Sequence, residues 1–260
     1  MKAAAVHPAS GSGLTSRRAA LAVGVVVFVV WCVRLRRVKR GVAVARRFWS
    51  QPQGAPGGLL YVALGDSAAQ GVGASRPDRG YVGLLAERLG CTTGQPVQVV
   101  NLSSSGATIE DLLREQLPRL QRLQPDLVTV AIGGNDMFRA DPVAFDACVD
   151  RLIAALPPQT VIADVPYFMH GHWERDARRS AETVTRIATA HGLSVVPLHE
   201  ALRREGWAAM ASEFTADWFH PNDRGYRVWA DAFWTTMQAS DLLSRLASGR
   251  TAPTTRTTTG

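Results

Sequence analysis

In the stretch "YVALGDSAAQG", residues 61 to 71, an apolar run stops at Gly65, an acid and Ser67 follow, and a second glycine comes at Gly71. Ser67 is either a nucleophile or a small polar residue in a glycine-bounded turn. The choice depends on whether the chain also holds a base to activate it and an acid to orient that base. Among the six histidines, His7 lies in the N-terminal arm, and His170 and His172 sit in "FMHGHWERD". His191 closes a helical pattern, and His199 follows an apolar run. His220, in "ADWFHPNDRGY", alone has an acid three residues before it, Asp217, and a turn just after it. That offset lets Asp217 bond one ring nitrogen while the other faces a cleft. "HPND" also reads as helix-start chemistry with Asn222 as cap, and the residues alone leave both readings open.

These residues need a scaffold to bring them together. Runs rich in β-branched residues occur at 59–64, 97–102, 127–132, 160–165 and 193–198, starting about 30 to 38 residues apart. Helical patterns lie between them near 80–89, 108–122, 142–155 and 174–191, with others near 199–210 and 223–246. Five strands alternating with helices predict an α/β chain, a parallel sheet covered on both faces. In "TIEDLLREQLPRLQRL", Ile109, Leu112, Leu113, Leu117 and Leu120 fall near one face, Thr108 is a candidate cap, and Pro118 should kink the second half. Ligands of such sheets bind beyond the carboxyl ends of the strands. There the chain places Gly65-Asp66-Ser67, "NLSSSGAT" with Gly106, and "IGGNDMF" with Gly134, Asn135 and Asp136.

Charge and composition exclude several classes. The chain of 260 residues carries a formal net charge of +7. Ten of its 29 Lys and Arg lie in residues 1–50, which hold no acid, so the remainder has 19 basic against 22 acidic residues. The basicity belongs to the arm and not to the folded body, where a nucleic-acid binder would carry its basic face, so no nucleic-acid partner is expected. Cys32, Cys91 and Cys148 form no Cys-x-x-Cys pair, and no His/Cys cluster has zinc spacing, so neither a metal nor another cofactor is expected. The His170/His172 pair could suggest a metal, but no metal site is expected there. Buried free thiols are expected for Cys91 and Cys148, with a disulfide as the alternative if the domain is exported.

Four regions follow. Residues 1–47 form a basic arm whose apolar segment 19–33, "AALAVGVVVFVVWCV", is expected to associate with a membrane. Its fifteen residues are short for a span of about 20, but flanking arginines can snorkel. The basic excess after the segment places the domain in the cytoplasm if the segment stays uncleaved; Ala43-Val44-Ala45 and "SRRAALA" point toward export. Membrane attachment is expected, and the face stays open. Residues 48–58 read as a Pro/Gly-rich linker, 59–247 as the folded domain, and 248–260 as a disordered Thr-rich tail.

"GDS" with its later glycine, "SSGAT", "GGND" and "DWFHPN", in that order from residue 65 to 222, resemble the four blocks of the SGNH or GDSL hydrolases. Ala68 stands where the family name places leucine. The resemblance implies a flavodoxin-like three-layer α/β/α sandwich and a serine esterase or lipase working without a cofactor. It implies Ser67 as nucleophile, His220 as base and then acid, and Asp217 as its orienting group. The N–H groups of Ser67 and Gly106 and the amide of Asn135 would form the oxyanion hole. Donors aimed at that oxygen are each worth about 10²–10³ in rate. Asp66 and Asp136 are assigned to fixing turns. Phe138, Phe168, Trp218 and Phe219, with Met137 and Met169, could bind an acyl or lipid group or simply pack a core or lid. Short-chain esters, lysophospholipids, thioesters and sugar O-acetyl esters are all open as substrates, and so is the oligomeric state. A receiver or flavodoxin module fits less well: the fifth run ends "VVPLHEA" without a lysine, and the first turn offers one hydroxyl for a phosphate loop. A catalytically dead scaffold tethered to a membrane is the other competitor.

Overall fold

The computed structural model describes residues 40–248 except 139–140, 169–170 and 216, together with Phe28, Val33 and Arg36. The five apolar runs form β1 (Leu59–Gly65), β2 (Val97–Asn101), β3 (Leu127–Ala131), β4 (Thr160–Ala163) and β5 (Ser194–Val196). All neighbours pair in parallel, in the order β2-β1-β3-β4-β5. Central β1 sets the frame: Val62 lies beside Val100 of β2 and Val128 of β3. Every residue of β3 and β4 is buried, as a parallel sheet covered on both faces demands.

The crossovers supply the covering layers. On one face, α1 (Tyr81–Thr93), α6 (Leu198–Glu213), α7 (Asp223–Ala239) and α8 (Leu242–Ala247) pack Tyr81, Leu85, Leu202, Tyr226, Phe233 and Leu246 into one apolar cluster. On the other, α2 (Ile109–Asp111), α3 (Leu117–Leu120), α4 (Pro142–Ala155) and α5 (Gly171–Ala190) build a second around Ile109, Leu112, Phe145, Leu152 and Val184. The order reverses at β1, so the crevice beyond the ends of β1 and β3 is where such a sheet takes a ligand.

Two elements differ from expectation. The pattern near 108–122 is interrupted before its proline: a π-helical turn, Leu112–Gln116, joins α2 to α3, and the Leu117 N–H donates to the Leu112 carbonyl five residues back. Pro118 cannot donate and would crowd the carbonyl four residues earlier, so widening the preceding turn accommodates it. The pattern near 223–246 is two helices, parted at Ser240, whose hydroxyl is turned to the Met237 carbonyl.

Residues 48–58 are not a free linker. Ala45 and Trp49 are buried in the first cluster, and Gln53 pairs with Val99 through two backbone hydrogen bonds of 2.9 and 2.8 Å. Burying an indole outweighs the local Pro/Gly content, so the body effectively starts within the arm. The apolar segment 19–33, apart from Phe28 and Val33, and the tail after Ser248 lie outside the described residues. Among the described residues no helix is long and apolar enough to cross a membrane. Cys91 and Cys148 are free thiols, but Cys91 is exposed and Cys148 half-buried, not buried as expected. They sit on α1 and α4, on opposite faces of the sheet, which rules out a bridge between them.

Gly65 ends β1 with φ 145°, and a Cβ placed there would lie 2.2 Å from the Ala131 carbonyl oxygen of the neighbouring strand. Both the conformation and the close approach require glycine. Gly65→Ala is expected to destabilise the protein by about 2 kcal/mol or more, read as a lowered urea midpoint. An unchanged midpoint would show that the strand ends can part at no cost.

Candidate active site

Ser67 stands in the turn directly after β1, with its side chain largely buried. The turn is fixed from within. Asp66 Oδ1 accepts the Ala68 N–H at 2.8 Å, and the Val72 N–H donates to the Ser67 carbonyl at 3.0 Å. It is also fixed from outside, by a residue the sequence pattern did not single out. Gln116 is buried within the π-helical turn; its Oε1 accepts the Gly65 N–H at 2.9 Å and its Nε2 donates to the Gly65 carbonyl at 2.7 Å. A lone glutamine on an amphipathic helix carries no signal of its own; the nearby proline is the only sequence hint that the helix is distorted there.

His220 Nε2 lies 2.9 Å from Ser67 Oγ, and His220 Nδ1 lies 2.6 Å from Asp217 Oδ2. The local segment makes this geometry. Asp217 Oδ1 accepts the Thr215 hydroxyl at 2.6 Å and the N–H groups of Phe219 and His220 at 3.1 and 3.0 Å. Closing so tight a turn puts Trp218 in the left-handed region, φ 56°, with its side chain exposed. Such strain in a bulky residue persists only where surrounding contacts over-determine it. Asn222 is indeed the cap of α7, accepting from the Arg224 N–H at 2.8 Å and the Gly225 N–H at 3.3 Å. The two readings of "HPND" hold together: the cap anchors the segment that presents His220.

Burial would raise the Asp217 carboxyl, but hydrogen bonds from His220 and Thr215 overcome it and hold Asp217 well below the ordinary aspartate range. It stays ionised, able to fix the histidine tautomer with Nε2 free to take a proton from Ser67.

Gly106 has φ 81°, and a Cβ built on it would meet nothing within 4 Å. Its glycine is required by conformation, since the space in front of it is open. Asn135 is half-buried; its Nδ2 donates to the Ala107 carbonyl at 3.0 Å and to Asp66 Oδ2 at 3.2 Å. Thr108 caps α2 as expected, and Asp136 accepts the Ile109 N–H at 3.3 Å, tying its turn to the start of that helix 27 residues away. Asp66 has a turn-fixing bond too, but burial pushes its carboxyl up to about 6, and it also faces the cleft.

A cavity of ≈ 690 Å³ opens beside Ser67 and His220. Phe168, Trp218 and Phe219 line it, together with Trp173, Phe214 and Leu198, which were not foreseen. Phe138 closes the 3-10 turn Asp136–Phe138, and its side chain lies outside the described residues. Met137 packs with the second apolar cluster instead. Met169 and His170 lie outside the described residues, and among those described no group of His, Cys, Asp or Glu could hold a metal ion.

Asp164, after β4, is a further cavity-lining acid. It accepts the His199 N–H at 2.7 Å at the start of α6. Burial pushes its carboxyl up to about 7, against the lowering effect of the His199 and Leu198 N–H groups.

Residues 63–228 match the model of the GDSL-like Lipase/Acylhydrolase family. A curated relative, a GDSL-like esterase of Mycobacterium tuberculosis, is 25% identical over 189 residues, which are 67% of this chain and 60% of the relative. The match thus spans less than two thirds of that protein. The acetylxylan esterase Axe2 of Geobacillus stearothermophilus superposes with a TM-score of 0.59 at 23% identity, covering 69% of this chain and 94% of that one. The lipase/acylhydrolase of Enterococcus faecalis does so with a TM-score of 0.61 at 20% identity, covering 70% and 96%. At these identities the two structures support the fold.

The folded Asp164 keeps a proton that the unfolded chain, with its ordinary value of 3.8, gives up. Its burial therefore costs stability increasingly as pH rises from about 4 to about 7, and fully above that. Asp164→Asn is expected to raise the melting temperature relative to wild type more at pH 8 than at pH 5. A difference independent of pH would exclude ionisation of Asp164 as its cause.

Proposed function

This chain belongs to the GDSL-like lipase/acylhydrolase family, and from that premise we propose that it is a serine hydrolase that cleaves carboxylic esters through an acyl-enzyme. The observation that carries the reading is the unbroken relay from Ser67 Oγ through the His220 ring to Asp217, at 2.9 and 2.6 Å.

In this mechanism Ser67 Oγ attacks the ester carbonyl carbon as its proton passes to His220 Nε2. The carbonyl oxygen becomes an oxyanion, held by the N–H groups of Ser67 and Gly106 and by the Asn135 amide. Collapse expels the alkoxide, which takes the proton from Nε2 and leaves as the alcohol. Water then attacks the acyl-Ser67 ester, giving its proton to Nε2, and the second collapse returns that proton to Ser67 Oγ and frees the acid. Asp217 stays ionised throughout and stabilises the imidazolium. No step calls for a metal or a cofactor.

The cavity favours one substrate class. Its described lining is mainly aromatic and aliphatic, with Asp66, Asp164 and Asp217 as its acids and neither lysine nor arginine. A neutral apolar acyl group fits such a wall. The phosphate of a lysophospholipid or of a coenzyme thioester would meet acids and neither lysine nor arginine among the described lining residues. A sugar O-acetyl ester is the second reading, favoured by the exposed indoles of Trp173 and Trp218, which offer stacking faces at the cavity. The apolar segment 19–33 makes membrane attachment part of the proposal, with the domain on either face.

With p-nitrophenyl acetate, butyrate and octanoate, kcat/KM is expected to rise from acetate to the longer chains and to vanish in Ser67→Ala. Wild-type turnover no higher than that of Ser67→Ala would refute the hydrolase reading, and a maximum at acetate would favour the O-acetyl reading. Asp217→Asn should keep the fold and lose about 10²–10⁴ in kcat. Turnover at the wild-type level would remove Asp217 from the mechanism.

A further inference from the structure

Gln70, three residues after Ser67, is buried and carries two side-chain bonds to the loop after β2. Its Nε2 donates to the Ser103 carbonyl at 2.9 Å, and its Oε1 accepts the Ser105 hydroxyl at 2.6 Å. These contacts bracket the approach to Gly106, the next residue along. Beyond this clamp, the two segments are joined by the Asn101 amide, which donates to the Ala69 carbonyl at 2.7 Å, and by the Ser104 N–H, which donates to the Gly65 carbonyl at 3.2 Å. The clamp is held from behind by the arm. The indole Nε1 of Trp49 donates to the Gln70 carbonyl at 3.0 Å, in a buried bond across 21 residues. Trp49 is in turn fixed by packing in the first apolar cluster, edge-on to Phe48 at 4.7 Å, and by the pairing of Gln53 with Val99.

We propose that Gln70 is a positioning residue that sets the Gly106 N–H relative to Ser67, and that Trp49 extends this clamp into the N-terminal arm, so that the arm's docking tunes oxyanion stabilisation. The catalytic part of this proposal rests on the serine-hydrolase reading; the mechanical part does not. The physical case is one of tolerance. A donor stabilises an oxyanion only when it points at the place the charge develops, and small misplacements cost large factors in rate. Gly106 sits in a conformation open to glycine and in space that nothing fills, so its own residue does little to hold it. The loop is located by its ties, and two of them end on one glutamine whose main chain is bonded to the arm.

The test uses the full chain and four variants. Gln70→Ala removes the clamp. Ser105→Ala removes one of its two bonds at a half-buried loop position and serves if Gln70→Ala does not fold. Trp49→Phe keeps an aromatic ring and removes the N–H, and Gln51→Ala, at an exposed position of the same arm, is the control. Hydrogen exchange of the peptide covering residues 102–108, read by mass spectrometry, is expected to quicken at least tenfold in Gln70→Ala, less in Ser105→Ala and Trp49→Phe, and not in Gln51→Ala. With p-nitrophenyl butyrate, Gln70→Ala should lose about 10- to 100-fold in kcat with KM within about threefold, a fraction of what removing a whole donor costs. An alkyl trifluoromethyl ketone, to which Ser67 Oγ adds to form an oxyanion as its proton moves to His220, should weaken by the same factor as kcat/KM falls. A merely structural role would lower stability without that proportionality. Exchange at 102–108 unchanged in both Gln70→Ala and Ser105→Ala would overturn the clamp. Faster exchange with kcat and inhibition constant both unchanged would overturn the link to the oxyanion. Absent wild-type turnover would instead sink the hydrolase reading, while the exchange result still decides the clamp.

Discussion

The carboxamide of Gln116, paired with both backbone groups of Gly65, is the interaction on which the site depends. At the end of β1 the chain must leave the sheet, and its last peptide groups must leave strand pairing without losing hydrogen bonds. Gln116 adds two bonds to Gly65, at 2.9 and 2.7 Å, beside the one that the Gly65 carbonyl accepts from the Ser104 N–H. Ser67 can then be placed two residues beyond a fixed point. The fixed point itself is possible only because Gly65 tolerates a positive φ against the Ala131 carbonyl. A distortion in one helix, forced by a proline, thus fixes the start of the turn on a strand. The turn that carries Ser67 inherits its position from these two backbone facts.

Three aspartates near the same cleft show how local donors set charge. Asp217 receives two N–H groups, a hydroxyl and the histidine, and it remains ionised despite burial. Asp66 has one N–H and a longer bond from Asn135, and its carboxyl rises to about 6. Asp164 has the start of α6, and it rises to about 7. All three are desolvated; the four hydrogen bonds on Asp217 set it apart from the other two. The acid that must stay charged for the mechanism is the one that the turn wraps.

Much of this was legible in the sequence, for reasons that also explain what was not. Strand positions followed from β-branched runs, and the α4 boundaries, 142–155, agree with the expected helical pattern because Pro142 and the apolar spacing mark them. Ser67, Asp217 and His220 were legible because a short offset and a motif order constrain them locally, and they do meet at hydrogen-bond distance. Gln116, Gln70 and Trp49 were not. Each acts through a partner 21 to 51 residues away, and none stands in a pattern that a sequence alone marks out. Trp49 was hidden by its neighbours: a Pro/Gly-rich stretch reads as a linker, whereas one indole with a buried hydrogen bond is enough to seat it on the body.

The proposed oxyanion hole raises a question of competition that its geometry answers. Asn135 has two amide protons, and both already have acceptors, the Ala107 carbonyl at 3.0 Å and Asp66 at 3.2 Å. An oxyanion would have to take one of them. The longer bond is the cheaper to surrender, and its acceptor is the aspartate whose burial weakens its hold on negative charge. The shorter bond, to a backbone carbonyl, keeps the amide plane fixed while the other proton is redirected. In the proposed mechanism Asn135 is therefore already oriented and needs only a small change of partner when charge develops. That is the condition under which a donor stabilises the transition state more than the ground state. In the proposed mechanism Asp66 thus has a part beyond its turn, as the acceptor that orients the Asn135 amide.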